Sequence, residues 1–163
     1  MRIENRFTVS LPIEEAWGVL FDIEGIAPCM PGAVVDEVGE DGVAGRVKIK
    51  LGAIVTQFKG TVRFAEMDQE ANRIVLHASG REMRGQGNAT ADVTVVLSPT
   101  DAGTEVSIDA DLAITGKIVQ YGRGVIVDVT TKLIRQFVDC LEDKLATEGR
   151  GGLGQAAAGG AGT

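Results

Sequence analysis

The sequence predicts an α+β domain in which one long, curved antiparallel β-sheet wraps a C-terminal helix and encloses an apolar cavity. Three observations carry that prediction. From Val43 to Ile114 nearly every second residue is apolar or small, the period of a sheet with one face turned inward. From about Lys117 to Glu148 the period becomes helical, with Val125, Val129, Leu133, Phe137, Cys140 and Leu141 on one stripe. Finally, Gly60, Ala78, Gly80, Ala89 and Ala91 hold inward positions at the centres of long strands. A sheet packed solidly on a helix fills such positions with Leu, Ile or Phe, because protein interiors reach crystal-like density. Aromatic residues make up only 4% of the chain, too few to fill the space left over.

The elements follow in order. A first strand over 2–10 turns Ile3, Phe7 and Val9 inward. Pro12 opens a helix reaching about Phe21, with Glu14 and Glu15 at its electropositive start and Ile13, Ala16, Trp17 and Leu20 on the buried side. Residues 25–32, bracketed by glycines and prolines, form a short helix or turn. Strands are expected at 33–39, 43–51, 54–67, 72–83, 86–98 and 103–115, separated by Gly-, Asp- and Pro-containing turns. The long helix begins among Gly116, Gly122 and Gly124, each costing up to about 1 kcal/mol relative to Ala. This weak start and the loop 25–32 are the segments expected to move when a ligand enters. The domain spans 1–148, and the Gly/Ala-rich residues 149–163 read as a flexible tail.

Composition narrows the function. At 163 residues and 44% hydrophobic, the chain builds one domain with a real core. A net charge of −7 excludes non-specific nucleic-acid binding and gives no general pull toward anionic lipid. No apolar run approaches a membrane span, and the first residues do not resemble a signal peptide. Two cysteines far apart in sequence, Cys29 and Cys140, imply no disulfide framework and suit a reducing cytoplasm; Cys29 reads as a small buried hydrophobe.

Catalytic chemistry is not indicated, and the reading is a non-enzyme. The one histidine, His77, falls on the outward register, and no His/Cys set has metal-ligand spacing. There is no nucleophile elbow and no dinucleotide fingerprint. Glu37, Glu82 and Tyr121 are the ionisable groups expected near the cavity, with the two carboxylates at strand ends in solvent.

The predicted ligand-binding wall combines Ile49, Leu51, Ile54, Phe58 and Val62 with Ala78, Ala91, Val93 and Ile108 from the sheet. Val125, Val129 and Leu133 face them from the long helix, and Trp17, Met30 and Tyr121 complete the set. Thr56, Asn88 and Tyr121 are candidates to orient a polar head group. On the outer face, Arg46, Lys48, Lys50, Lys59 and Arg63 form a basic patch suited to an acidic partner or a lipid surface. No cofactor is required by the sequence; a lipid-like ligand is expected.

The order β-α-α-β-β-β-β-β-β-α is similar to the helix-grip fold of the START, Bet v 1 and polyketide-cyclase superfamily. Within it the chain resembles the CoxG family, the G subunits of carbon monoxide dehydrogenase. The resemblance lies in Cys29-Met-Pro-Gly-Ala33, Gly45-Arg-Val-Lys-Ile-Lys-Leu-Gly52, Phe58-Lys-Gly60 and Ala78-Ser-Gly80. It continues through Gly85-Gln-Gly-Asn-Ala-Thr-Ala91 and Thr115-Gly-Lys-Ile-Val-Gln-Tyr-Gly122, covering nearly all of residues 1–145. The resemblance implies a partner, the molybdenum-containing carbon monoxide dehydrogenase, and a place in the cytoplasm at the inner face of the membrane. It also implies a ligand: a respiratory quinone such as menaquinone or ubiquinone, linking that enzyme to the membrane quinone pool. Two other roles share the fold, a membrane-docking subunit with an incidental pocket and a cyclase- or dehydratase-type enzyme.

Overall fold

The computed structural model describes residues 1–152, with side chains through Leu145. Seven strands form one antiparallel sheet in the order β1-β7-β6-β5-β4-β3-β2. They are β1 (Arg2–Val9), β2 (Ala33–Val38), β3 (Gly42–Leu51), β4 (Ile54–Asp68), β5 (Arg73–Glu82), β6 (Gly87–Thr100) and β7 (Gly103–Gly116). Consecutive strands from β2 to β7 are hairpin neighbours, so the expected turns set the topology directly. The first strand crosses over to the far edge, beside β7.

Between β1 and β2 lie α1 (Ile13–Leu20), α2 (Ile23–Ile26) and a 3-10 turn, Ala27–Cys29. Asp22 caps α2 by accepting from the Gly25 amide. A second 3-10 turn, Lys117–Tyr121, precedes α3 (Gly122–Gly152). The long helix therefore starts five residues later than its period suggested. Gly122 sits at φ 82, a conformation other residues rarely adopt, and resets the chain direction there. At its other end α3 runs four residues past the expected boundary, and 153–163 of the expected tail lie outside the described residues.

Rows of side chains across the sheet explain its shape. Cross-strand partners place Gly45, Gly60, Gly80 and Ala89 in one line, and Val62, Ala78, Ala91 and Leu112 in another. The glycines do more than leave space. A Cβ at Gly60 would collide with the Ser79 carbonyl oxygen and lie 2.7 Å from the Gly80 Cα, so this strand pair approaches too closely for any side chain.

The solid core sits at the other half of the sheet. Val9, Ala16, Leu20, Ile74, Val95, Leu97, Val106 and Leu141 are buried together, with Trp17, Val93, Ile108 and Phe137 packed against them. Glu142 fixes the helix to this end by accepting from both the amide and the hydroxyl of Ser10.

The expectation about the cysteines is corrected here. Cys29, in the first 3-10 turn, and Cys140, on α3, form a disulfide across 111 residues, with Cα atoms 5.3 Å apart. Sequence distance says nothing about spatial distance once a helix folds back over the loop that follows the first strand. Lys144 adds a second tie, its Nζ donating to the Gly25 carbonyl. The loop expected to be a free gate is thus latched to α3.

Candidate functional site

The half of the sheet lined by small residues encloses a cavity of about 620 Å³. Its floor is the inner face of β3 to β7, where the two rows of Gly and Ala leave the helix without side chains to meet. Ile126, Val129, Thr130 and Leu133 of α3 cover it at the i, i+3, i+4, i+7 spacing of one helical face. Phe21, Ile23, Ile26 and Ala27, between α1 and the first 3-10 turn, close a third side. The size falls within the 300–1,000 Å³ or so typical of small-molecule sites.

Of the predicted wall, Met30, Ile49, Leu51, Phe58, Val62, Ala78, Ala91, Val129 and Leu133 line this cavity. The other six do not. Val93 and Ile108 belong to the solid core, because the strand segments that carry them extend beyond the cavity into the packed half, and Trp17 packs into the same core from α1. Ile54 stands at the tip of the β3–β4 hairpin, opposite Leu51, and is 48% exposed. Tyr121 lies in the 3-10 turn before α3. Val125 is displaced by Ile126: both neighbour Val129 on a helix, and the sheet lies on the side of Ile126 and Thr130.

The contribution of Phe21, Ile23, Ile26 and Ala27 was missed. The spacing of Ile23, Ile26 and Ala27 is that of one helical face, and it was the available signal.

The polar groups are disposed differently from expectation. Thr56 is buried but outside the wall, its Oγ1 donating to the Ile49 carbonyl at 2.9 Å. Asn88 is exposed on the outward register. Thr130 lines the cavity, and its hydroxyl donates to the Ile126 carbonyl, so it faces a ligand as an acceptor only. The one charged residue bordering the cavity, Arg46, belongs to the outward register of β3 and is held there by a two-bond contact with Asp36, at 3.1 and 2.9 Å. The hydrogen bond from Arg46 outweighs the opposing effect of burial and keeps the Asp36 carboxyl below the usual range.

Glu82 is a second correction. Expected in solvent at a strand end, it is 1% exposed. Its carboxylate accepts from the amides of Arg84, Gln86 and Gln57 at 2.8, 3.1 and 3.4 Å. Burial pushes its carboxyl up, and the three amides outweigh this, leaving it below the ordinary value. It therefore works as a charged clasp for the β5–β6 turn. Glu37 is exposed on edge strand β2, so the two carboxylates do not form an acid–base pair.

On the outer face, Arg46, Lys59 and Arg81 stand directly opposite one another on β3, β4 and β5. Arg63 faces His77, whose Nδ1 is 2.7 Å from Asp92. Lys48 and Lys50 are exposed farther along β3. Among the described residues, no group of three or more His, Cys, Asp or Glu could hold a metal ion, and no helix is long and apolar enough to cross a membrane.

Comparisons with known proteins fit this architecture. The family model for the carbon monoxide dehydrogenase G subunit (CoxG) matches residues 6–146. No curated protein sequence matches the chain. A conserved protein from Geobacillus kaustophilus superposes with a TM-score of 0.79 at 19% identity, covering 90% of this chain and 96% of its own. A protein from Thermus thermophilus gives 0.65 at 15%, covering 91% and 99%. The Zhui aromatase/cyclase from a Streptomyces species gives 0.65 at 16%, covering 99% of each chain. At these identities the likenesses establish the helix-grip fold.

Proposed function

We infer the function from one premise, that the chain belongs to the CoxG family of carbon monoxide dehydrogenase, and from the cavity just described. The family is that of an accessory subunit, which supports a role beside carbon monoxide dehydrogenase. Our reading is that the protein is a carrier without catalytic chemistry of its own, holding a respiratory quinone such as menaquinone or ubiquinone between the enzyme and the membrane quinone pool. The observation that carries this is a cavity of about 620 Å³ whose wall is apolar almost throughout and whose one charged residue is already paired. A prenylated quinone, mostly hydrocarbon with a small polar head, suits such a wall. An acid–base enzyme requires an ionisable group aimed at the substrate, and the buried carboxylate of Glu82 is spent on three amides.

The carrier works at the cytoplasmic face of the membrane in this reading, with Lys48, Lys50, Lys59 and Arg63 of the outer face available to an acidic surface of the enzyme. Arg46 contributes less, because Asp36 neutralises it. The deciding experiment is mass spectrometry of an organic extract of protein purified from its native host, joined to fluorescence of Trp17. This single tryptophan packs against Phe21, a wall residue, with ring centroids 5.1 Å apart. A short-chain naphthoquinone should quench it saturably. Extracts free of quinone together with no quenching would remove the carrier reading and leave docking as the protein's role.

A further inference from the structure

Part of the cavity wall comes from residues whose side chains point the other way. Thr61, Ser79 and Thr90 form one cross-strand row on the outer face, next in sequence to Gly60, Gly80 and Ala89, and Val34 pairs with outward Arg46. All four border the cavity. Residues on the outward register reach an inner wall only through their backbone, so part of the floor is bare peptide. The glycine row bares it. A Cβ on Gly45 would collide with the Val34 carbonyl oxygen, and one on Gly60 with that of Ser79. Two carbonyl oxygens thus stand where side chains would otherwise be.

The hydrogen-bonding groups left over in this wall are of one kind. Antiparallel pairing on both sides spends the amides of β4, β5 and β6 on neighbouring strands, while each carbonyl in a ladder keeps a second lone pair. Elsewhere in the wall the Ala27 amide donates to Ile23, the Met30 amide to Ala27 and the Ile118 amide to Gln86. The amides of Ile126, Val129, Thr130 and Leu133 serve the helix itself. Among the described residues whose side chains face inward, Thr130 carries the one hydroxyl. It donates to the Ile126 carbonyl at 2.9 Å and keeps an accepting oxygen toward the cavity. The Met30 thioether is a weaker acceptor. The Arg46 guanidinium, a donor, is held on the outer face by Asp36. A ligand here meets acceptors.

We propose that the cavity selects an apolar ligand that donates a hydrogen bond, a phenolic or hydroquinone hydroxyl, with Thr130 Oγ1 as its acceptor. This rests on the carrier reading and sharpens it: of the two forms of a quinone, the reduced one is held more tightly. A quinone presents carbonyl oxygens, which accept. Taking up two electrons and two protons turns both into hydroxyls, which donate. On entering the cavity the quinone gives up its hydrogen bonds to water and meets other acceptors, whereas the hydroquinone exchanges one of them for a bond to Thr130. The carbonyls of Val34 and Ser79 on the floor are acceptors for its second hydroxyl. A site that pairs with a hydroxyl discriminates against the analogue lacking it, because its own polar group is then left unpaired. Loading therefore follows reduction: the carrier fills with hydroquinone and releases the oxidised form more readily.

The test is calorimetric titration of the full chain with two naphthalenes that need no reductant, 4-methoxy-1-naphthol, which carries a hydroxyl, and 1,4-dimethoxynaphthalene, which carries none. Wild type should bind the naphthol about fivefold more tightly, the effect of one net hydrogen bond. Thr130→Val, of nearly the same shape, should lose that preference and bind the diether as wild type does. Thr131→Val is the control, because the Thr131 hydroxyl donates in the same way to the Val127 carbonyl from a position outside the wall. It should keep the preference; loss in both variants would trace the effect to the helix and overturn the proposal. The potential of bound 2-methyl-1,4-naphthoquinone is an independent readout. Fivefold tighter binding of the reduced form raises it by about 20 mV, tenfold being about 30 mV for two electrons, and Thr130→Val should remove the shift. A preference that survives Thr130→Val refutes the assignment to Thr130. Equal binding of naphthol and diether by wild type overturns the proposal and leaves the carrier reading standing, whereas binding of neither overturns both.

Discussion

Opening the Cys29–Cys140 disulfide removes a cross-link that closes a loop of 111 residues in the unfolded chain. Loop-closure entropy grows with the logarithm of loop length, and for about 100 residues it amounts to about 4.7 kcal/mol at 25 °C. The bond also joins the turn that borders the cavity to the helix that covers it, so its loss acts locally as well as globally. For a domain of this size each kcal/mol shifts the melting temperature by about 2–4 °C, and the full entropic term lowers it by about 10–20 °C. The assay is thermal unfolding of oxidised protein, of protein reduced with a phosphine, and of Cys29→Ala/Cys140→Ala with and without the phosphine. Wild type should melt well below its oxidised value once reduced, and the double variant should be insensitive to reductant. Hydrogen exchange should rise in residues 22–32 on reduction and change little in β5–β7. Two free thiols in unreduced protein unfolded in guanidinium, or a melting temperature that reductant leaves within about 2 °C, would refute the reasoning.

Three other outcomes follow from the same geometry. Ala78→Phe and Ala91→Phe place an aromatic ring in existing space, so melting should fall by less than the overpacking cost of about 1–3 kcal/mol in a filled core, while naphthoquinone quenching of Trp17 is lost. Gly60→Ala should destabilise clearly despite the same cavity nearby, by about 1–3 kcal/mol in denaturant unfolding, because its methyl meets the Ser79 carbonyl rather than open space. Glu82 has a folded pKa below its unfolded value, so its contribution is complete above the ordinary carboxylate range and disappears as pH falls through the folded pKa. Glu82→Gln should therefore melt lower than wild type near neutral pH, and the difference should narrow on acidification through that range.

The strand order, the hairpin registers and the stripe on α3 were legible because each is a local periodicity: apolar residues alternate along every strand from β3 to β7, and turn residues fall between them. The cavity was legible for the same reason, since Gly60, Ala78, Gly80, Ala89 and Ala91 stand on the inward register whatever the strands pack against. A period, however, assigns a side of the sheet and not a distance along it. Val93 and Ile108 share that side with Ala91 and Leu112, yet they fall in solid core, because α1 and the Phe137–Leu145 part of α3 pack on that half of the sheet. What joins residues far apart in sequence was fixed by the tertiary fold alone. Cys29 reaches Cys140 only because α3 returns over the first 3-10 turn. Glu82 becomes buried only because the β5–β6 turn curls its amides around the carboxylate and Gln57 of β4 adds a third.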